Sequence, residues 1–336
     1  MQKGSKKKNW KVSVLLTVIT VIAIGVLIFC AYQLVPKLIE YKVSDDTFGR
    51  IRNNAVQELD AEEVAALDST ISSEESSEKD LGPADLTNAL KIDWDAFADT
   101  EIVAWIQLDD ISYPVMQGDD NDKYLHHLPD GSYNYGGSIF LYNHNNPLFT
   151  DQSSFVYGHN MSNGSMFGNL DRYTDESYKD SKFYIYLPDG TRRTYRFYSV
   201  ASVGESSDTY TWSFASDDSF LEWQEMMKEA SMYDTGLEPS TDAMYVTLST
   251  CNGYAGTSYR LVVCGQLERV DTLQEPASWY DAYLEQYSTQ MTAKEEQAMA
   301  VRETLDTLVL QRQSDVYEER MGSAASEEAI MVQEEE

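Results

Sequence analysis

Few residues in this chain could do chemistry, so each can be weighed in turn. The 336 residues include three cysteines and four histidines. Cys251 ends the run Tyr245-Val246-Thr247-Leu248-Ser249-Thr250, which reads as a strand, and Arg260 stands near the start of a second strand, Tyr259 to Leu267. A thiol beside a guanidinium is a nucleophile next to a fixed positive charge. An ordinary thiol, with a pKa of about 8.5, is mostly protonated at neutral pH, so a base is also needed. His159 supplies one. It follows the apolar run Ser154-Phe155-Val156-Tyr157-Gly158, at a strand end where a histidine is open to substrate. His159 could take the thiol proton, and Arg260 with a backbone N–H could hold the oxyanion formed when Cys251 attacks an amide carbonyl. No carboxylate near His159 in sequence completes a triad, and none is assigned.

The remaining candidates read as structural. His126 and His127 are adjacent, so they point to opposite faces of a strand or well apart on a helix and make poor joint ligands. His144 lies in the turn-rich Asn143-His144-Asn145-Asn146-Pro147 and reads as a surface residue. No cluster has metal-ligand spacing, so neither a metal nor a cofactor is expected. Cys30 sits in the apolar N-terminal run, leaving Cys251 and Cys264 as the one conceivable disulfide. Alternation argues against that pair. Cys264 shares a strand face with Arg260 but lies roughly 13 Å further along, and it reads as a small buried apolar residue.

The elements that must position these residues follow from texture. Short β-branched and aromatic runs predict strands at Val103–Leu108, Tyr113–Met116, Gly137–Leu141, Phe155–Tyr157, Phe183–Leu187, Tyr195–Val203, Met244–Thr250 and Tyr259–Leu267. Leu187-Pro188-Asp189-Gly190 marks a hairpin. Eight short strands at this spacing predict a mainly β, closed barrel. Phe220, Leu221, Trp223, Met226, Met227 and Ala230 predict a helix over Asp217–Tyr233, just before the cysteine strand. A second helix is expected over Asp85–Phe97, with Leu86, Leu90, Trp94 and Phe97 packing on the domain.

Outside that region the composition divides the chain further. Residues 1–11 carry five lysines and no acid, and residues 12–36 are uncharged. That run exceeds the roughly 20 residues needed to cross a bilayer, and the flanking lysines place the N-terminus in the cytoplasm. Everything after Pro36 is then extracellular. Residues 37–84 read as a polar, acidic linker without a tight apolar period, and residues 85–270 as the catalytic domain. Residues 271–336 form an extension with sixteen acids and four bases. In it Tyr280, Leu284, Tyr287 and Met291 make one helical stripe, and the last sixteen residues read as disordered. A net charge of −31 excludes nucleic acid as a partner.

Several of these segments together resemble a known family. Tyr157-Gly158-His159-Asn160-Met161 with Ser165-Met166-Phe167, then Thr247-Leu248-Ser249-Thr250-Cys251 and Arg260, resemble the sortases of class B. Ile111-Ser112-Tyr113-Pro114-Val115, Gln117-Gly118, Asp120-Asn121-Asp122, Tyr124-Leu125 and Gly137-Ser138-Ile139-Phe140 are similar to the same class. The resemblance runs from about Asp93 to Leu267, and the helix before the cysteine strand matches the extra helix of class B enzymes. It implies a sortase-like barrel and a membrane-anchored cysteine transpeptidase of a Gram-positive bacterium. Such enzymes cut a C-terminal sorting signal after its threonine through a thioester. They then pass the surface protein to an amine of peptidoglycan or of a pilin. By this resemblance Cys251 is the nucleophile, His159 the general acid/base and Arg260 the substrate-orienting or oxyanion residue. Ser249 and Thr250 line the site, and Asn121 is a further substrate-binding candidate. The acidic C-terminal extension departs from the class. Two other readings stay open: an extracellular Cys–His peptidoglycan hydrolase, and a surface scaffold without catalysis. In the hydrolases the cysteine usually precedes the histidine and opens a helix, whereas here it follows the histidine and ends a strand.

Overall fold

A computed structural model describes residues 4–74, 84–251 and 257–289. Residues up to Ala277 form one compact unit and residues from Ser278 another.

The first unit opens with α1, Gly4–Ala55, a single helix that runs through Pro36. Its apolar side chains from Val12 to Ile39 face outward. At 1.5 Å per residue the uncharged part is roughly 37 Å long, enough to cross a bilayer. Beyond it the helix changes character. Ser44, Thr47, Phe48 and Ala55 are buried, and Tyr41 and Ile51 pack against the core. The Phe48 ring meets Tyr113 edge-on at 5.3 Å. The stretch expected to be a solvated linker is therefore partly built into the domain. It continues as β1, Val56–Glu58, and α2, Ala61–Glu74.

Where a helix was expected over Asp85–Phe97, the chain forms β2, Leu90–Ile92, followed by a short 3-10 turn at Trp94–Phe97. β2 pairs antiparallel with β1, Val56 opposite Ile92. Leu86, Leu90, Trp94 and Phe97 are buried as predicted, so the packing expectation holds and the element type does not. An apolar step of four fits a helix, but pairing with β1 satisfies the backbone groups instead.

All eight predicted strands are present. They are β3 (Ile102–Leu108), β4 (Ile111–Met116), β5 (Ile139–Leu141), β6 (Ser153–Tyr157), β7 (Lys182–Tyr186), β8 (Thr191–Gly204), β9 (Tyr245–Cys251) and β10 (Tyr259–Thr272). They close into a barrel in the order β10-β8-β7-β3-β4-β5-β6-β9. Two neighbours, β4 with β5 and β6 with β9, run parallel. The interior holds Ala104, Ile106, Val115, Val156, Val246, Leu248, Leu261 and Val263, one strand face each.

A third helix, α3, spans Asp217–Glu229. Ser216 caps it: its hydroxyl accepts from Ser219 N while the Ser219 hydroxyl accepts from Ser216 N. Phe220, Trp223 and Met227 pack against Tyr198, Tyr245 and Cys264, so the helix covers the outer faces of β8, β9 and β10. In the second unit residues 280–289 are helical, with Tyr283 and Tyr287 rings 6.2 Å apart. Met291 and the last sixteen residues lie outside the described residues.

Candidate active site

Two registers build the site. In the parallel pair β6–β9, Tyr157 stands opposite Ser249, and Gly158 N donates to Ser249 O at 3.2 Å. The pairing ends there, and continuing it two residues along each chain would carry His159 toward Cys251. The amide of Asn160 closes this end by donating to Cys251 O at 2.9 Å. In the antiparallel pair β9–β10, Cys251 stands opposite Arg260. Cys251 therefore ends a strand between the one leading to a histidine and the one carrying an arginine. Neighbouring strands lie roughly 4.8 Å apart.

All three residues share the outer face. Val156, Val246, Leu248, Leu261 and Val263 fill the interior, so alternation turns Tyr157 and His159, Ser249 and Cys251, and Arg260 and Val262 outward. Thr250 has the interior parity and is 3% exposed. By that parity it turns away from Cys251, while Ser249, just as buried, shares the outer face with that cysteine. The Ser249 hydroxyl shares a hydrogen bond of 2.9 Å with Tyr210, whose ring stacks on Tyr157.

His159 is held closely. Its Nε2 lies 2.8 Å from Leu125 O. A carbonyl only accepts, so Nε2 carries the proton and Nδ1 is the nitrogen with the lone pair. Burial pushes the His159 pKa below the ordinary imidazole value. The bond to Leu125 opposes this, and charge on His126 reinforces it. Gly137 is what lets Leu125 lie there, because a Cβ on Gly137 would sit 2.4 Å from Leu125 O. Gly137 also takes φ +51°, a conformation that suits glycine.

Arg260 spreads its fork over two kinds of partner. Nη1 donates to Thr257 O at 2.5 Å and Tyr259 O at 3.2 Å, while Nη2 meets the Glu205 carboxylate at 2.8 Å. Glu205 is half exposed. Exposed pairs of this kind contribute about 0.2–1 kcal/mol, so the guanidinium can leave the carboxylate for a substrate at little cost.

Asn121 is placed differently from the expectation. Its Nδ2 donates to Asn143 Oδ1 at 2.9 Å and its Oδ1 accepts from Asn143 N at 3.0 Å. It staples the loop after β4 to the loop after β5, and no described contact joins it to Cys251. Cys264 is buried, unpaired and opposite Thr247, and burial raises its thiol pKa to about 12.

Reading the sequence missed Asn160, Glu205, Tyr210 and the carbonyl of Leu125. Asn160 follows His159 directly and could have been suspected from position. The other three reach the site only through folding. Residues 252–256 lie outside the described residues.

A sortase domain model matches residues 106–268. The sortase B of Listeria monocytogenes is 31% identical over 156 residues, covering 45% of this chain and 63% of that protein. The sortase B of Staphylococcus aureus is 26% identical over 175 residues, covering 51% of this chain and 71% of that protein. Among solved structures, the sortase B of B. anthracis aligns at 32% identity over 50% of this chain and 79% of that one, with a TM-score of 0.45. This chain thus spans just under two thirds of its Listeria relative's length. The domain match encloses His159, Cys251 and Arg260, and over that region the chain is similar to the class B sortases.

Proposed function

We propose that this chain is a membrane-anchored cysteine transpeptidase that works outside the cell on the sorting signals of surface proteins. The observation that supports the reading is Cys251 opposite Arg260 on β10, with β6 leading to His159 at the same end of β9. The apolar part of α1 anchors the chain, and the lysines before it keep the N-terminus in the cytoplasm.

The chemistry follows from the geometry. His159 Nδ1 takes the proton of Cys251, and the thiolate attacks the carbonyl carbon of the scissile bond after threonine. The oxyanion is held by the Arg260 guanidinium and a backbone N–H. Collapse expels the amine, which takes the proton back from His159, and leaves a thioester on Cys251. An amine of peptidoglycan or of a pilin then attacks the thioester. His159 receives its proton, the new amide forms, and the thiol is regained. The outer-face groove beside Ser249, Tyr157 and Tyr210 would hold the peptide.

Incubating the full chain in detergent with a Pro-x-Thr-x peptide library and an added amine tests this. Cleavage after threonine, transfer to the amine, and loss of both in Cys251→Ala and His159→Ala are expected. A thioester formed by Cys251→Ala would overturn the mechanism. Cleavage confined to muropeptides would assign the site to a peptidoglycan hydrolase, and no cleavage of either would favour a scaffold.

A further inference from the structure

Residues 126–134 fold into a small hairpin beside the site. Asn134 N donates to His126 O at 2.9 Å, Leu128 N donates to Ser132 O at 2.9 Å, and His127 pairs with Tyr133. Two rings from this loop and its exit lie against His159 in near-parallel planes. His126 is 5.6 Å away at 20°, and Tyr135 is 5.8 Å away at 17°. His126 and Tyr135 also face each other at 5.9 Å and 26°. His126 Nδ1 is buried and finds no hydrogen-bond partner among the described residues. An unpaired polar atom in a dry place is a cost, so the ring is not there to complete a hydrogen-bond network.

The loop is itself held from an unexpected direction. Asn134, 2% exposed, donates through Nδ2 to Glu40 O at 2.9 Å. Glu40 lies in α1 just beyond the apolar span. Asn134 Oδ1 accepts from Gly136 N at 2.9 Å, which fixes the backbone on both sides of Tyr135. One buried amide therefore ties the stem of the membrane helix to the two rings against His159.

We propose that His126 and Tyr135 are positioning residues for His159, and that the stem of α1 holds them in place through Asn134. The proposal rests on the reading of His159 as the general acid/base. The Leu125 carbonyl fixes the rotation of the imidazole, and the two rings fix its tilt. Together they hold Nδ1 in one place, with the 46% exposed Tyr135 at the solvent side. The titratable groups facing His159 are His126, Tyr135 and, across the register, Cys251, with Arg260 beyond. Burial and a second imidazole both disfavour the imidazolium. The catalytic end of the barrel is thereby braced by the segment that leaves the membrane.

The test uses the full chain in detergent micelles with two readouts. One is kcat and KM on the peptide selected from the Pro-x-Thr-x library. The other is the titration midpoint of His159, followed by NMR with ring-labelled histidine and assigned with His159→Gln. Misplacing a catalytic group by about 1 Å can cost on the order of a hundredfold in rate. His126→Ala is expected to lower kcat about tenfold with KM little changed, and to raise the His159 midpoint. His126→Phe keeps a ring and should restore most of the kcat. Asn134→Asp keeps the acceptor for Gly136 N but loses the donor to Glu40 O, and should move kcat and midpoint in the same direction as His126→Ala. Near-UV circular dichroism separates these effects from misfolding, and Tyr135→Leu replaces His126→Ala if that variant does not fold. An unchanged kcat and midpoint in folded His126→Ala would overturn the positioning role, and the same result in Asn134→Asp would overturn the link to α1. If the wild type cuts no peptide while the midpoint still moves, the transpeptidase reading fails and the positioning stands.

Discussion

At the scale of single residues, Cys251 gains its surroundings from three separate segments. Around it stand Arg260 on the facing strand, its guanidinium leaning on carbonyls, the Ser249 hydroxyl tied to Tyr210, and, at the end of β6, His159 with Nε2 on Leu125 O. The roles proposed for His159 and Arg260 make two predictions. Because burial lowers the His159 pKa, protons must reach a higher concentration before the base is lost. The acid limb of kcat/KM is therefore expected below the ordinary imidazole value, and a rate profile across the acid range checks it; a limb above that value would contradict a buried base. Arg260→Lys is expected to reduce kcat by roughly a hundredfold, the scale lost with one oxyanion donor. A point charge on a flexible stem cannot span the positions a planar fork reaches. Steady-state rates measure the effect, and near wild-type kcat would remove the need for the fork.

At the scale of elements, the barrel was legible because each strand carries its own alternation and its own punctuation. Val156, Val246, Leu248, Leu261 and Val263 mark the inner face without reference to any partner. Which strands pair was not legible, since β6 reaches β9 in parallel across 87 residues of intervening chain. The strand ends carrying His159, Cys251 and Arg260 could be read, whereas the loops that complete the site could not. Asn121 illustrates the difference: the resemblance made it a substrate-binding candidate, and only the fold reveals Asn143 as its partner.

The end of β10 shows the same limit. Alternation fails after Leu267 because Glu268, Arg269 and Asp271 are charged, yet the strand runs on to Thr272. Each charge has a partner. Lys182 bonds Glu268, and Asp271 takes both Arg269 and the buried Arg192, the latter at 2.9 Å. Asp271→Asn would leave the Arg192 charge buried without its counter-ion. Breaking such a pair from one side costs about 3–5 kcal/mol. Urea unfolding of the variant should show that loss, and a loss below about 1 kcal/mol would mean that Asp85 O and the Tyr184 ring already suffice for Arg192.

At the scale of the whole molecule, the segment after the apolar span changes meaning most. Composition makes residues 37–84 a polar, acidic linker, with at most Leu38, Ile39, Tyr41 and Val43 continuing the helix as a stalk. Tyr41, Ser44, Phe48, Ile51 and Ala55 step by three and four along one helix face, and all are wholly or partly buried. Two of the five are small, so the stripe looks polar and weak until Phe48 is seen against Tyr113. A soluble piece begun after Asp80, the natural choice from sequence, would remove that stripe together with β1, the partner of β2. Loss of a buried phenylalanine alone costs about 3–5 kcal/mol, and in a domain of this size each kcal/mol lowers Tm by about 2–4 °C. A piece starting at Lys37 is therefore expected to melt roughly 10 °C or more above one starting at Leu81. Calorimetry on both pieces decides it: equal melting temperatures would return the stem to the role of a passive tether.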